Sequence, residues 1–180
     1  MIRIAICDDE KIEIERTRVL LSKYMKMHPQ YDISCYEFHA PLELISTIAT
    51  KGGFELLILD IYMAGILGTQ AARELRQLGD ECEVIFVTSS RDHAIEAFEV
   101  DAAQYLIKPV SEATFFNALD RVMLRINTER RAIITLKTSE GIARLAIRDV
   151  VFTETGRNNY QIVHTIQGKK LEVRDRKSVV

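Results

Sequence analysis

Short apolar stretches of strand length recur through the first part of the chain: IRIAIC at 2–7, ISCYEF at 33–38, FELLILD at 54–60, EVIFVT at 83–88 and AQYLIK at 103–108. Between them apolar residues recur at helical spacing. The first set is Ile12, Ile14, Val19, Leu20 and Met27, and the second is Leu42, Leu44, Ile45 and Ile48. Ala71, Ala72, Leu75 and Leu78 follow, then Ala94, Ala97 and Phe98, and finally Phe115, Phe116, Leu119, Val122, Met123 and Ile126. This alternation of strand and helix predicts an α/β fold, a doubly wound five-stranded parallel sheet with helices on both faces. The nearly unbroken apolar runs at 54–59 and 84–87 suit its doubly buried centre. Ligands of such sheets bind beyond the carboxyl ends of the strands, so the chemistry is sought there.

After Glu129 the pattern changes to AIITLKT, GIARLAI, DVVFTET, YQIVHTI and KKLEVRD. Turn formers separate these runs at Ser139, Glu140 and Gly141, at Gly156 to Asn159, and at Gln167 and Gly168. This predicts antiparallel strands, a small β-rich partial domain over 128–180 following a first domain over 1–127. The length of 180 residues allows one full domain and a smaller remainder.

Charge divides at the same place. Residues 1–129 carry 13 Lys+Arg against 21 Asp+Glu, a net −8, whereas residues 130–180 carry 11 against 5, a net +6. A basic segment on an acidic one suits a nucleic-acid-binding module, because neutralising phosphates needs Lys and Arg; a solvated basic face explains the charge equally well.

The hydrophobic content of 47% is ordinary for a globular chain, and no apolar run approaches the roughly 20 residues of a membrane span. The start MIRIAICDDEK lacks the features of a secretory signal, so no membrane association and a cytoplasmic location are expected. Cys7, Cys35 and Cys82 form no CxxC pair and read as reduced, buried small hydrophobes. His28, His39, His93 and His164 show no metal-ligand spacing and read as surface or satisfied histidines.

Asp8 and Asp9 directly follow the first strand and Asp60 ends the third, so a parallel sheet gathers three carboxylates at one mouth. Like charges so placed repel unless a cation shares the site, and hard oxygen ligands favour Mg²⁺. Thr88, at the end of the fourth strand, can donate to a phosphoryl oxygen, and Lys108, at the end of the fifth, is a point charge suited to phosphate. Lys108 precedes Pro109, where a cis bond is accessible and would aim the ammonium inward. Taken singly these residues also read as a helix cap, a turn residue, a strand end and a solvated cation. Their convergence on one end of one sheet favours a phosphoryl site.

On these motifs, residues 1 to about 127 resemble the receiver domain of two-component response regulators: the acidic pair, Asp60 in LLILDIYMAGILG, Thr88-Ser89, and Lys108-Pro109 with Tyr105 three residues earlier. The resemblance implies that Asp60 accepts a phosphoryl group from a sensor histidine kinase. Asp8, Asp9, Asp60 and the backbone carbonyl of Tyr62 would hold Mg²⁺, with Thr88 and Lys108 contacting the phosphoryl oxygens. Thr88 and Tyr105 would form the switch, moving the face made by 91–99 and 103–107. Ala64 stands where that family usually has proline, which implies a more mobile loop. An aspartyl-phosphate hydrolase of the haloacid-dehalogenase type would carry a second Asp two residues after its nucleophile; Tyr62 and Glu10 occupy those positions, so an enzyme is not expected.

Residues 132 to 174 resemble the first half of the LytTR family of DNA-binding domains, with Asp149, Glu154 and Tyr160 in matching places. That resemblance implies a LytTR-type output controlling transcription, through promoter DNA in the full-length form. A full domain of that kind needs more residues than remain, so a partial sheet with unpaired edges is expected, and with it a homodimer or self-association. Arg157, Asn158, Asn159 and Tyr160 are the candidates for DNA contact, although an ordinary polar hairpin loop would look the same. The alternative is a receiver that acts by protein–protein interaction with an output domain that does nothing on DNA.

Overall fold

In the computed structural model of the protein, residues 1–131, 133–138, 141–156 and 160–174 are described. Strands β1 (Ile2–Cys7), β2 (Ile33–Phe38), β3 (Leu56–Leu59), β4 (Glu83–Thr88) and β5 (Gln104–Ile107) alternate with helices α1 (Lys11–Met27), α2 (Pro41–Lys51), α3 (Gly68–Gln77), α4 (Ala94–Glu99) and α5 (Glu112–Arg131). The strands pair in parallel in the order β2-β1-β3-β4-β5, a flavodoxin-like sheet. The chain leaves β1 outward to β2 and returns to β3 on the other side, so a crevice opens beyond the ends of β1 and β3. Every residue of β3 is buried, which is why its run is apolar without alternation.

Register sets the site. Cys7 pairs with Leu59 and Leu59 with Phe86, so β1, β3 and β4 end nearly level. The Asp60 amide continues the ladder by donating to the Cys7 carbonyl at 2.9 Å, and the Lys108 amide donates to the Thr88 carbonyl at 2.8 Å. The Lys108–Pro109 bond is cis.

The helices differ from their apolar spacing in places. Helix α1 buries Ile14, Thr17, Leu21 and Tyr24, leaving Ile12, Val19 and Met27 exposed. The buried stripe steps by three or four residues, but two of its members carry hydroxyls and do not register as apolar. Tyr24 is buried because its hydroxyl donates to Asp120 at 2.8 Å. Leu42, Leu78 and Phe98, expected on inner faces, are exposed as well. In the single long turn of α4 only Ala97 packs inward, so Phe98 necessarily points elsewhere.

The chain divides into two compact units, Met1–Met123 and Leu124–Val180. The second unit holds an antiparallel sheet in the order β7-β6-β10-β9-β8, from β6 (Ile133–Thr138), β7 (Gly141–Ala146), β8 (Val150–Thr155), β9 (Tyr160–Thr165) and β10 (Lys170–Arg174). Gly168, at φ +74°, supplies the left-handed turn between β9 and β10. Among the described residues no helix is long and apolar enough to cross a membrane.

Candidate functional site: a carboxylate cluster at the strand ends

Three carboxylates converge beyond β1 and β3. Asp8, Asp9 and Asp60 each offer an oxygen, and these atoms lie within 4.8 Å of one another. Asp8 and Asp60 are buried, 5% and 7% exposed, while Asp9 is exposed. From the end of β5, Lys108 Nζ donates to Asp8 Oδ2 at 2.7 Å and lies 3.2 Å from Asp60 Oδ2. Main-chain amides fix the rest of the cluster. Glu10 N donates to Asp8 Oδ1 at 2.9 Å, Ile61 N to Asp60 Oδ1 at 2.7 Å, and Ala64 N to Asp9 Oδ2 at 3.0 Å. The last bond exists because residue 64 is not proline, which has no N–H.

The electrostatics follow from this packing. Burial pushes the Asp8 carboxyl above its ordinary value, opposed by the Lys108 ammonium and the Glu10 amide and reinforced by Asp60. Burial would lower Lys108, but its hydrogen bond to Asp8 and the charge of Asp60 outweigh it and hold the ammonium above its ordinary value. Three carboxylates face one ammonium, and the excess negative charge among hard oxygen donors is what a small divalent cation neutralises. The donor set fits Mg²⁺.

A family model described as "Response regulator receiver domain" matches residues 4–120. The chain belongs to this family. Among curated relatives of the receiver, Sensory transduction protein LytT of Oceanobacillus iheyensis is 28% identical over 72% of this chain and 51% of its own length. The Positive alginate biosynthesis regulatory protein of Pseudomonas aeruginosa is 30% identical over 83% of this chain and 64% of its own. The chain therefore spans about half to two thirds of these two relatives. In fold, the receiver is similar to the response regulatory domain of MrkE from Klebsiella pneumoniae, with a TM-score of 0.63 and 21% identity over 71% of this chain and 99% of that one.

The remaining residues singled out in the sequence take these places. Thr88 is fully buried at the end of β4, and its Oγ1 accepts weakly from Ser90 N at 3.4 Å. Tyr105 lies on β5, half-buried, its Oη donating to the Ser90 carbonyl at 2.8 Å. Tyr62 follows the cluster with an exposed ring. Tyr160 opens β9, where its carbonyl accepts from Gly156 N at 2.7 Å; Arg157, Asn158 and Asn159 lie outside the described residues.

Two features went unnoticed in the sequence. Gly68 opens α3 with its amide donating to the Ile61 carbonyl at 2.9 Å, and a Cβ there would lie 2.0 Å from the Asp60 carbonyl oxygen. The signal was present as a glycine eight residues after Asp60, but its reason is a tertiary approach. His93, read as a surface or satisfied histidine, bonds Tyr62 and Glu96, from a different loop and from α4.

Proposed function

We propose that this protein is a two-component response regulator in which residues 1–127 receive a phosphoryl group on Asp60 and residues 128–180 belong to a LytTR-type DNA-binding output. The observation carrying the first half is the clustering of Asp8, Asp9 and Asp60 within 4.8 Å, with Lys108 bridging two of them. A carboxylate oxygen of Asp60 bonds to phosphorus as the bond from phosphorus to the kinase histidine nitrogen breaks. Such a transfer needs positioning and charge neutralisation more than covalent help. The Ile61 amide orients the carboxylate, Lys108 meets the incoming negative charge, and the Thr88 hydroxyl donates to a phosphoryl oxygen. Bound Mg²⁺, held by Asp8, Asp9, Asp60 and the Tyr62 carbonyl, would neutralise charge on the phosphoryl oxygens. Thr88 and Tyr105 form the switch, both already linked to Ser90.

The test is phosphorylation of the full chain by acetyl phosphate with Mg²⁺, read by intact mass. We expect a gain of about 80 Da, one phosphoryl group, that disappears in Asp60→Ala and with EDTA. No gain at any donor concentration overturns the reading.

For the output, support comes from the net +6 after residue 129, the antiparallel sheet and relatives named as regulators. Arg157, Asn158, Asn159 and Tyr160 are the residues proposed to meet DNA, and a cytoplasmic location and a homodimer accompany this reading. Fluorescence anisotropy with promoter DNA should give salt-sensitive, sequence-selective binding. A second reading, a receiver acting through a protein partner, is favoured by Ile95 and Phe98 on α4, which are 77% and 86% exposed. Absence of DNA binding at low salt selects it.

A further inference from the structure

The loops that lead away from Asp60 and Thr88 are joined by side chains. Tyr62 Oη lies 3.0 Å from His93 Nε2, and the two rings meet edge-on with centroids 5.2 Å apart. His93 Nδ1 lies 3.0 Å from Glu96 Oε1, and Glu96 Oε2 accepts from Thr69 Oγ1 at 2.9 Å. A carboxylate only accepts, so Nδ1–H donates to Glu96, and with the other nitrogen unprotonated Nε2 accepts from the Tyr62 hydroxyl. Thr69, at the start of α3, is fully buried and gives this chain of hydrogen bonds a rigid anchor.

The segment between Thr88 and α4 is thus tied twice. Ser90 is bonded to Tyr105 of β5, and His93 to the loop after β3. A movement of the Thr88 hydroxyl toward Asp60 would draw on this segment through its contact with Ser90 N, and the bond between Tyr62 and His93 would resist it. We propose that His93 is a positioning residue for phosphoryl transfer at Asp60, tying the loop after β3 to the loop after β4 and holding Thr88 back until its bond to Tyr62 breaks. This rests on the reading of Asp60 as the phosphoryl acceptor. His93 touches no reacting atom; it acts through the two loops.

The experiment compares the full chain with Tyr62→Phe, which loses only the hydroxyl, with His93→Phe, which keeps a ring, and with the double variant. Phosphorylation is followed against acetyl phosphate concentration in saturating Mg²⁺. Each single variant should raise the maximal rate about fivefold, the worth of one hydrogen bond, at an unchanged half-saturating concentration. The double variant should rise no further, because both changes remove the same bond. In ¹⁵N spectra the wild-type His93 ring should carry its proton on Nδ1, and its Nε2 signal should shift in Tyr62→Phe. Unchanged rates, slower transfer with a lowered melting temperature, or a double variant near the product of the singles would each overturn the proposal. A wild-type chain that accepts no phosphoryl group instead overturns the reading of Asp60, while the spectra still decide whether the bond exists.

Discussion

Gly68 shows how little space surrounds the backbone at Asp60. Its α-carbon passes so near the Asp60 carbonyl that a methyl group would overlap it, and the backbone atoms it meets cannot swing aside as a side-chain tip could. Gly68→Ala should therefore destabilise the receiver by about 1–3 kcal/mol, the usual range for forced overpacking. Urea unfolding checks this, and wild-type stability would show that α3 shifts without loss. Lys108 makes the complementary case. Its ammonium is the cation nearest two buried carboxylates, so Lys108→Met leaves their charge uncompensated. We expect a lower melting temperature without metal and a larger rise on adding Mg²⁺ than wild type shows. An equal rise in both proteins would mean that Lys108 does not balance the cluster.

At the scale of single elements, burial separates residues that look alike in sequence. Phe98 of α4 and Phe115 of α5 are both apolar at helical spacing, yet they are 86% and 1% exposed. Phe115→Ala should lower stability by about 3–5 kcal/mol, whereas Phe98→Ser should stay within about 0.5 kcal/mol of wild type. Thermal or urea unfolding of the pair checks both. Cys82, at the foot of β4, gives a pH-dependent case. Burial, followed by the charge of Asp80, pushes its thiol up to about 12 from an ordinary 9.0. Above pH 9 the unfolded chain has lost this proton and the native chain has kept it, so unfolding releases a proton and stability falls as pH rises from about 9 to 12. Cys82→Ala should make that fall shallower, which denaturation midpoints at a series of alkaline pH values would reveal; identical slopes would sink the idea.

Across the whole molecule, the two compact units have net charges of opposite sign and different sheet types, parallel in one and antiparallel in the other. The buried apolar residues of the first unit run from Ile2 to Met123, so residues 1–127 contain a core of their own. We expect that segment alone to unfold cooperatively and to accept a phosphoryl group at the rate of the full chain, as calorimetry and intact mass would show. Failure to fold alone would place part of its stability in residues 128–180.

Much of this was legible in the sequence because period and position carry it. Strands 2–7, 33–38 and 83–88 match the structure residue for residue; 2–7 and 83–88 are buried on both faces, where a strand is a nearly uninterrupted apolar run, whereas 33–38 is a half-buried edge strand bounded by turn residues. The same rule located Asp8, Asp60, Thr88 and Lys108, because in a parallel sheet the ends of different strands share one edge. Contacts between residues distant in the chain were decided by the tertiary structure. The exposed faces of α1 and α4, the approach of Gly68 to Asp60 and the bond between Tyr62 and His93 depend on how elements pack and loops meet. Periodicity describes one element at a time and holds no information about the distance between two.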